Sequence, residues 1–310
     1  MTRREAISLV GAGALMAKPD SRFSGVMIGA ITYSFRALPG SAQDTLKYCL
    51  ECGISGVELM APVAESFAGS PMGIPRPFGP GGPRTRPTPE QMEARKKQAA
   101  EVGAWRLKVG MEKYKEFRKM FEDAGVKIYA FKLPPTLEMP DGEYEYIWNV
   151  AETLGANHIT MELPTDDKLL ERVAAFAVKR KLRIAFHTHG QGGESGFAKV
   201  LSASPYTALN LDVGHYFGVT GESPVPVVEK YHDRISSLHL KDRKAPVDGK
   251  GGPNMPFGEG ATPLKEILQL MKRKKYRFPA SIEYEYETPQ GSDVLTEMKK
   301  CVAFARSALS

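Results

Sequence analysis

Two patterns of apolar and polar positions alternate along the chain from residue 26 onward. Short runs rich in β-branched and aromatic residues are separated by stretches such as AQDTLKYCLECG and YKEFRKMFEDAG, in which apolar residues recur three and four positions apart. The first pattern indicates buried strands and the second indicates amphipathic helices, several of which end in glycine, a common helix stop. The eight predicted strands are residues 26–35, 55–60, 126–133, 157–163, 182–189, 207–213, 235–242 and 280–287.

The order of these elements predicts the fold. Alternating strands and helices form parallel sheets, and eight such repeats predict a closed (β/α)8 TIM barrel of the α/β class. We expect a single domain over residues 26–310, since no boundary interrupts the repeats. Residues 69–89 and 246–260 are rich in proline and glycine and follow the second and seventh strands. Long irregular loops at that end of a barrel are expected to be lids or binding loops.

Composition narrows the class of protein. Hydrophobic residues make up 42% of the chain and charged residues 25%, which is typical of a soluble globular domain. The formal net charge is +6. However, the sequence contains no dense basic block with interleaved aromatic residues, so we expect no nucleic-acid partner. The densest basic run, KRKKYR at 272–277, is predicted to cap a helix on a solvated face. Cys49, Cys52 and Cys301 lack zinc-site spacing, and the first two are predicted to be buried on a helix.

The first seventeen residues differ from the rest. MTRREAISLVGAGALMA contains Arg3 and Arg4, followed by a short apolar stretch of small residues. Because this stretch is too short to span a bilayer, it predicts a twin-arginine signal peptide over residues 1–17 rather than a stable membrane anchor. The alternative is an amphipathic N-terminal tail. The signal peptide implies a periplasmic or other extracytoplasmic location.

The stretch IAFHTHG at 184–190 places His187 and His189 on one face of a strand, because alternate residues point the same way. His215 follows the sixth strand three residues after Asp212. Charged groups that converge on a barrel mouth are costly unless they pair or bind a cation, so this set predicts a metal site with oxygen and nitrogen ligands. The alternative for any one of them is an exposed loop position. The polar residues at the strand ends are Glu58, Lys132, Glu162, His187, His189, Asp212, His239, Lys241, Glu283 and Glu285.

Three short motifs, LDVGH, LHLKD and SIEYE, occur in this order on the last three predicted strands. In that order the chain resembles the xylose isomerase-like barrels of the sugar phosphate isomerase/epimerase group. The resemblance implies one divalent metal ion (Mn, Mg, Co or Zn), held by Asp212, His239 and Glu283. It also implies that His215 contacts substrate and that Lys241 lies near the substrate oxygens.

The His-x-His pattern departs from many members of this group, which carry glutamate at the position of His187. The pattern is typical of a branch that includes inosose dehydratase-like proteins. Either His187 or Glu162 could complete the metal shell, and His189 is expected further along the strand, beside a bound sugar. The candidate catalytic residues are His189, His215, Glu162 and Lys241, and the candidate substrate-binding residues are Glu58, Lys132 and Glu285.

The resemblance implies a metal-dependent isomerase or epimerase that removes a proton next to the carbonyl of a small carbohydrate substrate. Dehydration or lyase cleavage of a keto-sugar or 3-keto-glycoside shares this first step and stays open, and the protein could form a homo-oligomer. An apurinic endonuclease of the same fold is disfavoured, because the third strand ends with Lys132 and no Asp-x-His follows His239. A non-catalytic carbohydrate-binding barrel is disfavoured by the complete set of costly polar groups.

Overall fold

The fold is seen in a computed structural model, which describes residues 18–79, 87–189 and 193–310. The predicted signal peptide at residues 1–17 lies outside the described residues, as do residues 80–86 of the predicted loop at 69–89. Among the helices that the structure describes, none is long and apolar enough to cross a membrane.

Eight parallel strands close into a barrel, which confirms the predicted fold. The strands pair in the spatial order β2-β11-β8-β7-β6-β5-β4-β3, and β2 also pairs with β3. Two short antiparallel pairings of strands supplement the parallel barrel: β1 pairs with β2, and β9 pairs with β10. The strands are β1 (Arg22–Phe23), β2 (Val26–Ile31), β3 (Gly56–Met60), β4 (Lys127–Lys132), β5 (His158–Glu162), β6 (Arg183–His187), β7 (Thr207–Asp212), β8 (Ile235–Leu240), β9 (Asp242–Arg243), β10 (Asn254–Met255) and β11 (Ala280–Ile282).

Helices surround the barrel and bury its outer face. All six residues of β7 and all six of β8 are buried, as expected when one face of a strand packs inside the barrel and the other against helices. The helices are α1 (Ala42–Glu51), α2 (Ala61–Phe67), α3 (Pro89–Arg106), α4 (Glu112–Asp123), α5 (Asp141–Leu154), α6 (Asp167–Arg180), α7 (Glu194–Ser202), α8 (Val213–Thr220), α9 (Val225–Tyr231), α10 (Leu264–Lys274) and α11 (Val294–Leu309).

Two predicted strands are shorter than expected. The first gives way after Ile31 to a 3-10 helix over Thr32–Phe35, and the last is regular only over Ala280–Ile282. The side chain of Ser34 explains both ends. Its hydroxyl donates to the Ile282 carbonyl at 3.1 Å and accepts from the Tyr284 N–H at 3.0 Å, so it takes backbone groups that a neighbouring strand would otherwise bind.

The helix α3 has no counterpart in the prediction. Its first thirteen residues, 89–101, are all exposed, so the segment shows no apolar face for a periodicity argument to detect. Its start is nevertheless encoded locally. The Thr88 hydroxyl accepts from the Gln91 N–H, and the Gln91 side chain accepts from the Thr88 N–H, which is a capping box.

The glycine-rich segment at 246–260 is tied to the end of β8 by the two residues of β9. The Asp242 carboxylate accepts hydrogen bonds from the backbone N–H groups of Gly258, Gly260 and Thr262 at 2.8, 3.1 and 3.2 Å. A Cβ atom on Gly260 would overlap that carboxylate, so the close approach requires glycine. Arg243 donates to the Gly252 carbonyl. The loop is therefore fixed beside the carboxyl end of β8.

Candidate active site

Four buried side chains meet where the last barrel strands end. His187 ends β6, Asp212 ends β7, His239 lies near the end of β8, and Glu283 directly follows β11. One ligand atom from each residue lies within 4.8 Å of those of the other three. The convergence follows from the register of the sheet, because Asp212 and His239 are paired neighbours and His239 is paired with Ser281, two residues before Glu283.

The buried amide of Asn210 fixes the protonation of His187. Its Nδ2 donates to Glu58 Oε2 at 3.1 Å and to Ser237 Oγ at 2.6 Å, and because an ionised carboxylate can only accept, the orientation of the amide is determined. The Asn210 Oδ1 therefore accepts from His187 Nδ1 at 2.8 Å. Burial lowers the pKa of His187 well below its ordinary value, and nearby His239 and Lys132 add to this. The ring is neutral, with a bare lone pair on Nε2.

Glu58 orients the second histidine in the same way. It is fully buried in the middle of β3 and accepts from Thr160 Oγ1 at 2.7 Å and from His239 Nε2 at 2.7 Å. Burial alone would raise the pKa of Glu58, but His239 lowers it to about 2. Burial would lower the pKa of His239, but Glu58 and Glu283 raise it to about 10. In the protein without a metal ion, His239 is an imidazolium that donates from Nδ1 to Glu283 Oε2 at 2.9 Å.

The unsatisfied atoms of this group fit a divalent cation. His187 Nε2 and Asp212 Oδ2 are buried and accept no hydrogen bond of good geometry from the described residues. The other Asp212 oxygen accepts from the His215 N–H at 2.6 Å. Loss of the Nδ1 proton would free a lone pair on His239 while Glu58 keeps holding Nε2, the usual arrangement of a metal-bound histidine. Two nitrogens and two carboxylates suit Zn²⁺, Mn²⁺ or Co²⁺.

The Lys241 ammonium borders this group. Its Nζ lies 3.1 Å from Asp212 Oδ2, 2.9 Å from Glu283 Oε2 and 2.7 Å from Glu285 Oε2, and the side chain is 2% exposed. Burial would raise the pKa of Glu283, but Lys241 and His239 lower it well below its ordinary value. Burial opposes protonation of Lys241, and the three carboxylates overcome this and raise its pKa. Lys241 is therefore a cation held among carboxylates.

A second set of polar residues lies closer to solvent. His189 Nδ1 is 2.7 Å from Glu162 Oε2, and Lys132 Nζ donates to Glu162 Oε1 at 2.9 Å. The side chains of His189 and Glu162 are 47% and 43% exposed, so both can meet a ligand that enters the mouth. Burial would raise the pKa of Glu162, but the hydrogen bond from His189 and the charge of Lys132 lower it. The 2.7 Å contact pairs the imidazole with the carboxylate, as in a histidine–carboxylate dyad.

His215 connects the two sets but is a poor metal ligand. Its ring lies 4.6 Å from that of His189, and His187, His189 and His215 also bring ligand atoms within 4.8 Å of one another. However, its Nε2 is 2.8 Å from Lys241 Nζ and its Nδ1 is 2.9 Å from Arg243. Burial and the charge of Lys241 lower its pKa to about 3. Both ring nitrogens of His215 already face a cationic donor, so neither offers a free lone pair to a metal ion.

The structure thus brings the predicted polar residues together in two layers. Glu162 lies outside the four-residue group and pairs with His189 instead. Glu58 lies beneath the group, where its oxygens contact buried side chains rather than the mouth. Sequence reasoning missed Asn210 and Arg243. Asn210 could have been found, because it lies two residues before Asp212 in a strand and therefore points the same way.

Comparisons with known proteins agree with this architecture. Residues 90–304 match the family model described as a xylose isomerase-like TIM barrel. An inosose dehydratase from Clostridium botulinum (strain Eklund 17B / Type B) is 26% identical over 137 residues, which cover 38% of this chain and 45% of that protein. The match therefore spans less than half the length of this curated relative.

The solved structures that share the fold include the following two. One is the probable 3-DHS dehydratase involved in petrobactin synthesis from Bacillus anthracis, with a TM-score of 0.60 and 15% identity over 90% of this chain and 99% of that one. The other is a xylose isomerase-like TIM barrel protein from Mycobacterium smegmatis in complex with magnesium, with a TM-score of 0.54 and 15% identity over 92% and 98% of the two chains. The family match, which covers most of the barrel, shows that the chain belongs to the xylose isomerase-like TIM barrel family.

Proposed function

We propose that the protein is a divalent-metal-dependent isomerase or epimerase that acts on a keto-sugar. It removes a proton from the carbon next to the carbonyl group and then returns a proton to the substrate. The observation that carries the proposal is the pairing of a buried four-residue group suited to a cation with an exposed Glu162–His189 dyad directly above it. Membership of a family with sugar-modifying relatives supports a carbohydrate substrate.

His187, Asp212, His239 and Glu283 would hold the metal ion. A divalent ion at this position supplies Lewis-acid polarisation of the substrate carbonyl, which makes the neighbouring carbon more acidic. The protein prepares the site through hydrogen bonds. Asn210 directs the free lone pair of His187 into the group, and the buried environment strengthens each electrostatic interaction there.

His189 is the proposed general base. Its Nδ1 faces the Glu162 carboxylate, so the carboxylate stabilises the imidazolium that forms when the ring takes a proton on Nε2. Lys132 holds the other carboxylate oxygen and thereby fixes the plane of the dyad. His215, whose ring is 4.6 Å from that of His189, would contact substrate beside the base.

A second pair of ionisable groups lies beyond His215, whose ring separates it from His189. Lys241 and Glu285, which are 2.7 Å apart, project from the β8 and β11 side, whereas Glu162 and His189 come from β5 and β6. Lys241 is the proposed donor to a substrate oxygen, because its three carboxylate partners keep the ammonium group protonated. Return of the proton to the opposite face of the carbon gives epimerisation, and its transfer to the next carbon gives isomerisation.

Dehydration is the second candidate reaction. The specific observation in its favour is the match to inosose dehydratases across less than half of their length, together with the His-x-His pattern at 187–189. In that case Lys241 would donate to the oxygen of the departing hydroxyl group. The two reactions share the base and the metal site.

Proton NMR of keto-sugars incubated with the metal-loaded enzyme in deuterated water tests the proposal. Solvent deuterium incorporated at one carbon, with conversion to an epimer or isomer, is expected. A vinylic product with loss of water would establish the dehydratase alternative. Neither exchange nor conversion across keto-sugars, inososes and 3-keto-glycosides would refute the proposed class of chemistry.

We also propose export through the twin-arginine route, on the basis of Arg3 and Arg4 in the N-terminal segment. Replacing both by lysine keeps the charge but removes the paired guanidinium groups, and the protein should then remain in the cytoplasm. Cell fractionation and immunoblotting measure this. Equal extracytoplasmic amounts of the variant and the wild type would exclude the route.

A further inference from the structure

A cavity of about 620 Å³ lies at the end of the barrel opposite the candidate active site. Its walls include Arg183, the first residue of β6, and Ser236, the second residue of β8, together with the segment that leads into β11. These are the amino ends of parallel strands, whereas the candidate active site lies at their carboxyl ends. We call this space the basal cavity.

Positive charge converges on the basal cavity. Four basic side chains line it, and the structure describes one carboxylate among the lining residues, Asp233. Within the described parts of the chain, a single ion pair involves any of the four, that of Lys274 with Glu229 at 4.0 Å. Like charges gathered without counter-charges repel each other, which favours an anion between them. The four residues are Arg183, Lys274, Lys275 and Arg277.

The helix α10 accounts for only part of this charge. Lys274 is in its last turn and Lys275 is its C-cap, where basic residues interact favourably with the helix dipole. Arg183 belongs to a different element, and Arg277 comes two residues after the C-cap. Capping of α10 therefore does not explain why these two arginines line the same cavity.

A buried hydroxyl group supplies the second observation. Ser236 is 8% exposed, lines the basal cavity, and its Oγ has no hydrogen-bond partner among the described residues. A buried polar atom without a partner is costly, and native structures contain few of them. An anion held by the surrounding cations would accept a hydrogen bond from this hydroxyl group.

Aromatic rings form one wall of the same space. The rings of His232 and Tyr276 stack at 5.0 Å with an interplanar angle of 17°, and Tyr276 stacks on Phe278 at 5.4 Å. All three residues line the basal cavity. The site therefore combines arginine side chains, which bind oxyanions through paired N–H groups, with a flat aromatic surface.

We propose that the basal cavity binds the phosphate group of a small phosphorylated ligand. Arg183 and Arg277 bind the phosphate oxygens, and the Ser236 hydroxyl group donates to one of them. The volume leaves room for a sugar or nucleoside beside the aromatic wall. This site is separate from the candidate active site, so phosphate binding can be measured without turnover.

Isothermal titration of the full-length protein with inorganic phosphate, ribose 5-phosphate and ADP tests the proposal. Binding of at least one probe is expected, weakened about tenfold by Arg183→Gln and about tenfold again by Arg277→Gln, because each arginine contributes a charge-assisted hydrogen bond. Ser236→Ala should weaken binding severalfold while leaving the unliganded fold intact. Equal affinities for the three probes would identify free phosphate as the ligand, and tighter ADP binding would identify a nucleotide.

Arg273→Gln is the matched control. Arg273 is exposed in the last turn of the same helix, but it does not line the basal cavity. The variant loses the same charge and should bind the probes as the wild type does. If Arg273→Gln weakens binding as much as Arg183→Gln, the attraction is diffuse and the site does not exist. Absence of binding by all three probes also overturns the proposal.

Discussion

At the scale of single residues, the two histidines at 187 and 189 have different partners and hence different expected roles. His187 is buried and hydrogen-bonded to Asn210, whereas His189 is half exposed and paired with Glu162. A buried histidine whose Nδ1 is hydrogen-bonded and whose Nε2 keeps an unused lone pair is suited to bind a metal ion. A histidine that is backed by a carboxylate and open to the mouth suits proton transfer.

We therefore expect His189→Gln to retain metal and to lose turnover by a factor of about 10² to 10⁴, the usual contribution of a general base. His187→Gln should lose metal as well as turnover, because a nitrogen ligand is removed. Metal analysis of the two purified variants beside their turnover measures this, and each variant is the control for the other. Metal loss in His189→Gln with full occupancy in His187→Gln would reverse the assignment.

We expect Glu58 to affect the affinity for the proposed metal ion, although it is not one of the four proposed ligands. In Glu58→Gln the N–H groups of Asn210 and His239 lose their ionised acceptor, because a neutral amide oxygen replaces the carboxylate oxygen Oε2 that both of them bind. We expect the affinity for Mn²⁺ to fall roughly ten- to a hundredfold, as for other groups that orient a ligand. Titration of the metal-free protein with Mn²⁺ measures the change. Glu51→Gln, at an exposed position on α1, is the control, and equal affinity in both variants would contradict the role.

At the scale of elements, α3 is attached to the barrel through its last turn. Arg106 donates to Glu65 Oε1 at 2.8 Å and to Glu143 Oε2 at 3.0 Å, and its side chain is 11% exposed. It thereby joins α3 to α2 and α5. Gly103 packs against Glu143 so closely that a Cβ atom would contact the carboxylate.

Arg106→Ala should lower the free energy of unfolding by about 3–5 kcal/mol, because it leaves two buried carboxylates without their cation. Urea denaturation measures the loss. Arg95→Ala, on the exposed stretch of the same helix, should change stability by less than about 0.5 kcal/mol. A loss below 1 kcal/mol in Arg106→Ala would show that water reaches the carboxylates.

The elements that were predicted correctly from the sequence are those with a clear pattern of apolar residues. All eight barrel strands were predicted, because a parallel strand buried on both faces reads as a continuous apolar run. The exposed helix α3 was not, since its residues have no apolar stripe. Glu58 was predicted as a polar residue and Asn210 had a detectable spacing, but their contacts with each other and with His239 join residues of β3, β7 and β8, which only closure of the sheet brings together.

At the scale of the whole molecule, one buried histidine should make stability depend on pH. His158 opens β5, is fully buried, and bonds to Ser237 Oγ through Nε2 at 2.9 Å. Burial lowers its pKa to about 4, with Glu58 opposing the shift. In the unfolded chain the pKa would be about 6.5. The unfolded state therefore binds a proton more readily than the folded state does.

Stability should fall as the pH drops from about 6.5 to about 4, and His158 should account for at most about 3 kcal/mol of that fall. His158→Gln lacks this contribution, so its free energy of unfolding should vary less with pH over the same window. Urea denaturation of both metal-free proteins between pH 4 and 7 measures the two slopes. His187 and His215 titrate in both proteins and cancel in the comparison. Parallel slopes would show that His158 is solvated.

The position of Glu58 matters for redesign of the barrel. Because a carboxylate only accepts hydrogen bonds, its Oε2 orients both the amide of Asn210 and the ring of His239 from the buried side. Glu162 and His189 pair with each other on the solvent side, and the His189 ring also packs against that of His187 at 4.6 Å. A directed-evolution library confined to rim positions other than His189 could therefore search for new substrates, while every member of the library inherits the same buried hydrogen-bond network around Glu58.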